Sequence, residues 1–89
     1  MVRKMKEFEY TVTDAVGLHA RPAGMLVKEA KKYTSRITLF ANGKQSDATR
    51  LMTLMAMCIK CGTPVRVTVE GDDEAVCAEA LQSFFENNL

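Results

Sequence analysis

Tryptophan is absent from this chain, histidine occurs once, and the two tyrosines and four phenylalanines are not interleaved with basic residues. A stacking platform for single-stranded nucleic acid needs aromatic faces set among cations, so that class is excluded. Excess charge is missing as well: 12 Lys and Arg stand against 11 Asp and Glu, which gives no bias towards polyanions. No run approaches the roughly 20 apolar residues a membrane span requires. The basic start, MVRKMKEFEY, is not followed by an apolar stretch, so it does not read as a secretory signal. Three cysteines are an odd number in a small chain and argue against a disulfide framework, which fits a reducing cytoplasm. With a single histidine, a zinc site at Cys58-x-x-Cys61 would lack two ligands, and no metal is expected. Two prolines, five glycines and no repeat or linker leave residues 1–89 as a single domain.

What the chain does contain is clear periodicity. Glu7 to Thr13 alternates, with Phe8, Tyr10 and Val12 on one face and Glu9, Thr11 and Thr13 on the other, a half-buried strand. Asp14 to Gly17 reads as a turn. From Ala20 to about Lys32, Ala23, Leu26, Val27 and Ala30 share one helical face, and Pro22 is tolerable because it falls in the first turn. A strand over Arg36 to Ala41 meets Asn42-Gly43, the strongest short hairpin signal, and returns over Lys44 to Ala48. Thr49 to Ile59, apolar on nearly every side, reads as a short helix ended near Gly62. Val65, Val67 and Val69 alternate with Arg66, Thr68 and Glu70 as a fourth strand. Asp72-Asp73-Glu74 then reads as the N-cap and acidic first turn of a last helix, whose buried stripe is Cys77, Ala78, Leu81, Phe84 and Phe85. The order β-α-β-β-α-β-α, with one polar face per strand, implies an α+β fold: an antiparallel sheet with helices on one side and water on the other.

The chemistry concentrates in Gly17-Leu18-His19-Ala20-Arg21-Pro22-Ala23. A histidine just before a helix meets the unpaired N–H groups of Ala20 and Arg21 and the positive end of the helix dipole, which together favour an anion. Arg21 adds a guanidinium able to fork onto phosphate oxygens. Pro22 fixes the helix start, and Gly17 permits a bend that aims the ring outward. A nucleophilic nitrogen, two aligned amides and a cation within three residues suit reversible capture of a phosphoryl group.

This heptapeptide, GLHARPA, together with VKEAKKYTSRITL, NGK, a Met-rich second helix and VRVTVEGDDE, resembles the HPr family. These are the histidine-containing phosphocarriers of the bacterial phosphoenolpyruvate-dependent sugar phosphotransferase system. The likeness runs over essentially the whole chain. It implies an open-faced β-sandwich, a four-stranded antiparallel sheet covered on one face by three helices. It further implies phosphorylation of His19 on Nδ1, with Enzyme I as donor and sugar-specific IIA domains as acceptors. Arg21 would stabilise the phosphate, no cofactor would be used beyond the covalent phosphate, and the chain would be a monomer and a carrier rather than a stand-alone enzyme.

Leu51, Met52 and Met55 cannot all be buried with Leu54 and Ile59 in so small a core, and an exposed methionine-containing patch adapts to several partner surfaces. The matching positions of the family form a docking surface, so Leu51, Met52 and Met55 are expected to dock partners, with Lys28, Lys31 and Arg50 available to steer acidic ones. Leu54 and Ile59 are expected in the core. Two departures from the family pattern stand out. Many members carry a regulatory serine at the start of the second helix; Arg50 occupies that place here, Ser46 falls earlier in the return strand, and no serine switch is expected. Val16 stands where members often have a polar residue able to hydrogen-bond near the histidine. A redox role for Cys58 and Cys61 is disfavoured, because the pair follows a helix C-terminus, where a thiolate is not stabilised; Cys58 is expected to face the core. A regulatory or nitrogen-related phosphotransfer chain, and an interaction module that never turns over phosphate, remain as alternatives.

Overall fold

The structure is a computed structural model and describes residues 5–89; the first four residues of the basic N-terminal stretch lie outside it. Its elements are β1 (Lys6–Thr11), α1 (Ala20–Ala30), β2 (Arg36–Ala41), β3 (Lys44–Asp47), α2 (Leu51–Ala56), β4 (Pro64–Glu70) and α3 (Glu74–Asn88). The four strands form one sheet in the order β1-β4-β2-β3, and every neighbouring pair is antiparallel. Alternation along β2 and β4 sends Ile37, Leu39, Val65, Val67 and Val69 inward, where the helices bury them. The opposite side is left open and polar: Arg66 lies 4.7 Å over the Phe40 ring and 3.6 Å from the Glu7 carboxylate. This is the open-faced sandwich the alternation implies.

The helices meet the sheet through stripes at helical spacing. Ala23, Leu26 and Ala30 of α1 and Cys77, Leu81 and Phe85 of α3 are buried. Phe85 anchors the β1 side through edge-on contacts with Phe8 and Tyr10, with centroids 5.9 and 5.7 Å away. Burial pushes the Cys77 thiol up to about 11, helped by the nearby Asp73 and Glu29 carboxylates, so this cysteine is an inert core residue. Among the described residues no helix is long and apolar enough to cross a membrane.

Four sequence expectations are corrected by tertiary contacts. The first strand stops at Thr11, opposite Pro64, and the Thr13 amide turns away to donate to the Leu89 main-chain oxygen at 2.6 Å. The second helix runs only from Leu51 to Ala56, with Arg50 as its N-cap residue. It ends early because Cys58 takes a left-handed φ of 54° and the Asn42 side chain donates to the Met57 and Cys58 carbonyls at 3.0 and 3.2 Å. Cys58 is therefore exposed rather than core-facing, as is Cys61. Last, the Asp73 side chain does not cap α3. Its carboxylate accepts the Ser35 hydroxyl and the Thr34 and Ser35 amides, the latter two at 3.0 Å, tying the start of β2 to α3. Those bonds hold the Asp73 carboxyl below the usual carboxylate range.

Candidate functional site

His19 is the N-cap residue of α1, in extended conformation with φ −99° and ψ −175°. Its carbonyl accepts the Ala23 N–H at 2.9 Å and so opens the helix, while its side chain makes no capping hydrogen bond. The ring is half-buried, not sunk in the core, and its nitrogens are not committed to the helix. An ordinary N-cap side chain supplies an oxygen to the N–H groups of the first turn. Here that position holds a nucleophile instead. The next two amides, of Ala20 and Arg21, have no acceptor within the helix, as at any helix start, and Pro22 has no N–H to offer.

The loop before His19 is held from two sides. Asp14 accepts the Val16 N–H on Oδ1 at 2.9 Å and the Gly17 N–H on its carbonyl at 3.0 Å, closing a tight turn. Leu18 is buried, and its N–H donates to the Ile59 carbonyl at 2.9 Å, pinning the loop to the segment that follows α2. Gly17, at φ +78°, permits this approach: a Cβ there would lie 2.7 Å from the Lys60 Cα. Glycine is thus required twice, by dihedral and by space.

His19, Arg21, Pro22, Met25 and Asp14, with Asn87 and Asn88 of α3, line one open hollow of about 180 Å³. The end of α3 reaches the site because the Leu89 main-chain oxygen accepts the Thr13 and Asp14 amides, at 2.6 and 2.7 Å. Arg21 is exposed on the first turn, and among the described residues its guanidinium forms no ion pair. The structure thus brings together His19, Arg21 and the two amides named from sequence. It adds Asp14, Met25, Asn87 and Asn88, which the sequence reading did not single out. Asp14 had a local signal, an acid two residues before the amide it accepts; Asn87 and Asn88 had none, since their place depends on a contact across most of the chain.

The residues expected to dock partners lie on the surface. Leu51 and Met55 are exposed and Met52 most of all, at 79%, while Leu54, Met57 and Ile59 are buried. Lys28 and Arg50 are exposed too, with no ion pair among the described residues. Arg50 opens α2 as its N-cap residue. Ser46 is buried in β3 and hydrogen-bonded to Thr53 at 2.8 Å. The Val16 side chain points into solvent, 66% exposed, while its amide takes part in the Asp14 turn.

Comparison with known proteins agrees with this geometry. Residues 6–87 match the family model described as the PTS HPr component phosphorylation site. A phosphocarrier protein HPr of Mycoplasma capricolum is 45% identical over 78 residues, 88% of each chain. One from Xylella fastidiosa is 40% identical over 85 residues, 96% of each. The solved histidine-containing phosphocarrier protein of a Mycoplasma superimposes with a TM-score of 0.86 at 43% identity, covering 89% of this chain and 90% of that one. A nucleophilic imidazole at an open helix start, on this sheet order and within these similarities, leads to one assignment: the chain belongs to the HPr family of phosphocarrier components of the phosphotransferase system.

Proposed function

We propose that the chain accepts a phosphoryl group from Enzyme I on Nδ1 of His19 and passes it to sugar-specific IIA domains, working in the cytoplasm as a monomer. The observation that carries this reading is the N-cap position of His19, its ring half-buried in one hollow with Arg21, which forms no ion pair among the described residues. In the forward step, the bond from phosphorus to its carrier atom on the donor breaks as the bond to Nδ1 of His19 forms, and the donor atom keeps the electron pair. A phosphoryl group on a nitrogen at the N-cap sits where a capping oxygen would, within reach of the Ala20 and Arg21 amides. Arg21 meets the charge on the remaining oxygens. In delivery to IIA, the phosphorus–nitrogen bond at His19 breaks as a bond to the acceptor forms, and the His19 imidazole keeps the electron pair. The exposed face of Leu51, Met52 and Met55, with Lys28 and Arg50 at its margin, supplies one docking surface for donor and acceptors in turn, which a carrier requires.

The test is incubation with phosphoenolpyruvate and Enzyme I, followed by intact-mass measurement. One acid-labile phosphate is the expected product, absent from His19→Ala. Phosphate retained by that variant, or none on the parent, overturns the reading.

Arg50 bears on regulation. It places a guanidinium where a serine-directed kinase would need a hydroxyl, and the buried, hydrogen-bonded Ser46 offers no substitute. Treatment with ATP and the kinase that modifies this serine in other family members is expected to leave the mass unchanged. A phosphate gained at Ser46, Thr49 or Thr53 would show that the switch has moved rather than vanished.

A further inference from the structure

The geometry points to Asp14 as a positioning residue that lowers the stability of the phosphohistidine, so that the carrier releases what it captures; this rests on the function proposed above. A carrier fails in two ways, by not binding phosphoryl and by binding it too well. Everything else at the site favours the anion: two free amides, a helix start and the Arg21 guanidinium. Asp14 is the opposing charge. It lines the same hollow as His19 and Arg21, and these three carry the charged or titratable side chains of that lining, beside Pro22, Met25, Asn87 and Asn88. Its carboxylate is not free to swing away. Oδ1 holds the Val16 amide at 2.9 Å, and the Asp14 backbone is fixed at both ends, by its N–H on the Leu89 oxygen and by its carbonyl on the Gly17 amide. Nor is it neutralised by Arg21, since the two line one hollow without forming an ion pair. A phosphoryl group bound at His19 therefore enters a hollow lined by one positive side chain, the exposed Arg21, and one negative side chain held in place, Asp14.

Valine at position 16 offers the site no side-chain hydrogen bond, and its amide is taken by the Asp14 carboxylate at 2.9 Å. That bond holds the turn, and a negative charge comes with it.

Asp14→Asn separates the two contributions, because an amide oxygen still accepts the Val16 N–H while the charge is gone. With phosphoenolpyruvate, pyruvate and catalytic Enzyme I, the equilibrium ratio of phosphorylated to free protein should rise roughly three- to tenfold in Asp14→Asn, the range for one charge near a solvent-exposed site. Spontaneous loss of phosphate should slow by a similar factor, and the difference from the parent should shrink as salt is added. Asp14→Ala, which also loses the turn, should in addition slow charging by Enzyme I. An Asn variant with the parent's equilibrium ratio and hydrolysis rate, while both charge normally, overturns the role of Asp14 alone. A parent chain that takes no phosphate overturns the function proposed above and this inference with it.

Discussion

Gly17→Ala should cost the protein a large share of its stability and most of its phosphoryl transfer at once. Holding an L-residue at φ +78° costs about 1–2 kcal/mol, and forcing a methyl group into packed surroundings typically adds about 1–3 kcal/mol. The obstacle is backbone, the Lys60 Cα at 2.7 Å with the Ile59 carbonyl beside it, so no side chain can rotate out of the way. Against a total stability of order 5–10 kcal/mol for a domain of this size, the loss is severe. The relaxation available is separation of the Gly17–Leu18 loop from the Ile59–Lys60 segment, and that breaks the 2.9 Å bond from the Leu18 N–H to the Ile59 carbonyl. His19 moves with the loop. Urea unfolding should show the drop in midpoint, and stopped-flow charging by Enzyme I should show the loss of rate. Gly24→Ala is the control: it lies within α1 with nothing within 4 Å of the added carbon, and it should stabilise by about 0.5–1 kcal/mol. A Gly17→Ala protein within about 0.5 kcal/mol of its parent would show that the loop is not braced as described.

The contrast between these two glycines illustrates what a sequence can and cannot disclose. Strand alternation, the Asn42-Gly43 hairpin, now with φ 55° and 74°, and the apolar stripes of α1 and α3 were legible because each is decided within a few residues. The string from Gly17 to Ala23 was legible for the same reason: nucleophile, amides and guanidinium all belong to one helix start. Where distant parts of the chain decide, the reading failed. The end of α2 depends on the Asn42 side chain capping from 15 residues away, so the apolar run through Ile59 looked like more helix. Asp73 looked like an ordinary cap because its real partners, Thr34 and Ser35, lie 39 and 38 residues earlier. Cys58 looked like a core residue because nothing nearby announces a left-handed backbone. Asn87 and Asn88 entered the hollow only through a contact between Leu89 and Thr13, whose side-chain bond to the Leu89 oxygen spans 76 residues.

Replacing Arg21 by alanine should slow transfer far more than it weakens docking. Removing one preorganised donor to developing charge costs on the order of 10²–10³-fold when the site excludes water. The Arg21 hollow is open to solvent, which places the expected loss near the lower end, about 10²-fold. Docking should hardly change, because the exposed Leu51, Met52 and Met55 belong to a different helix and an exposed charge contributes roughly 0–1 kcal/mol to such contacts. Arg21→Lys should fall between the two, since it keeps the charge and loses the planar fork that grips two oxygens. Rapid-quench measurement of phosphoryl arrival at His19, set beside calorimetric titration with unphosphorylated Enzyme I, separates rate from affinity. Equal rates in parent and variant would remove Arg21 from the mechanism. The pairing with Asp14 sharpens the expectation, because the two charges bound one hollow without touching. Without Arg21, the carboxylate faces the phosphoryl group unopposed, and the adduct should be lost faster as well as formed more slowly. Asp14→Asn in the Arg21→Ala background should then recover part of the adduct's lifetime while leaving the lost transfer-state contacts unrepaired. In that double variant, lifetime and rate part company, which is the behaviour expected if one residue grips the phosphoryl group and the other limits how long it stays.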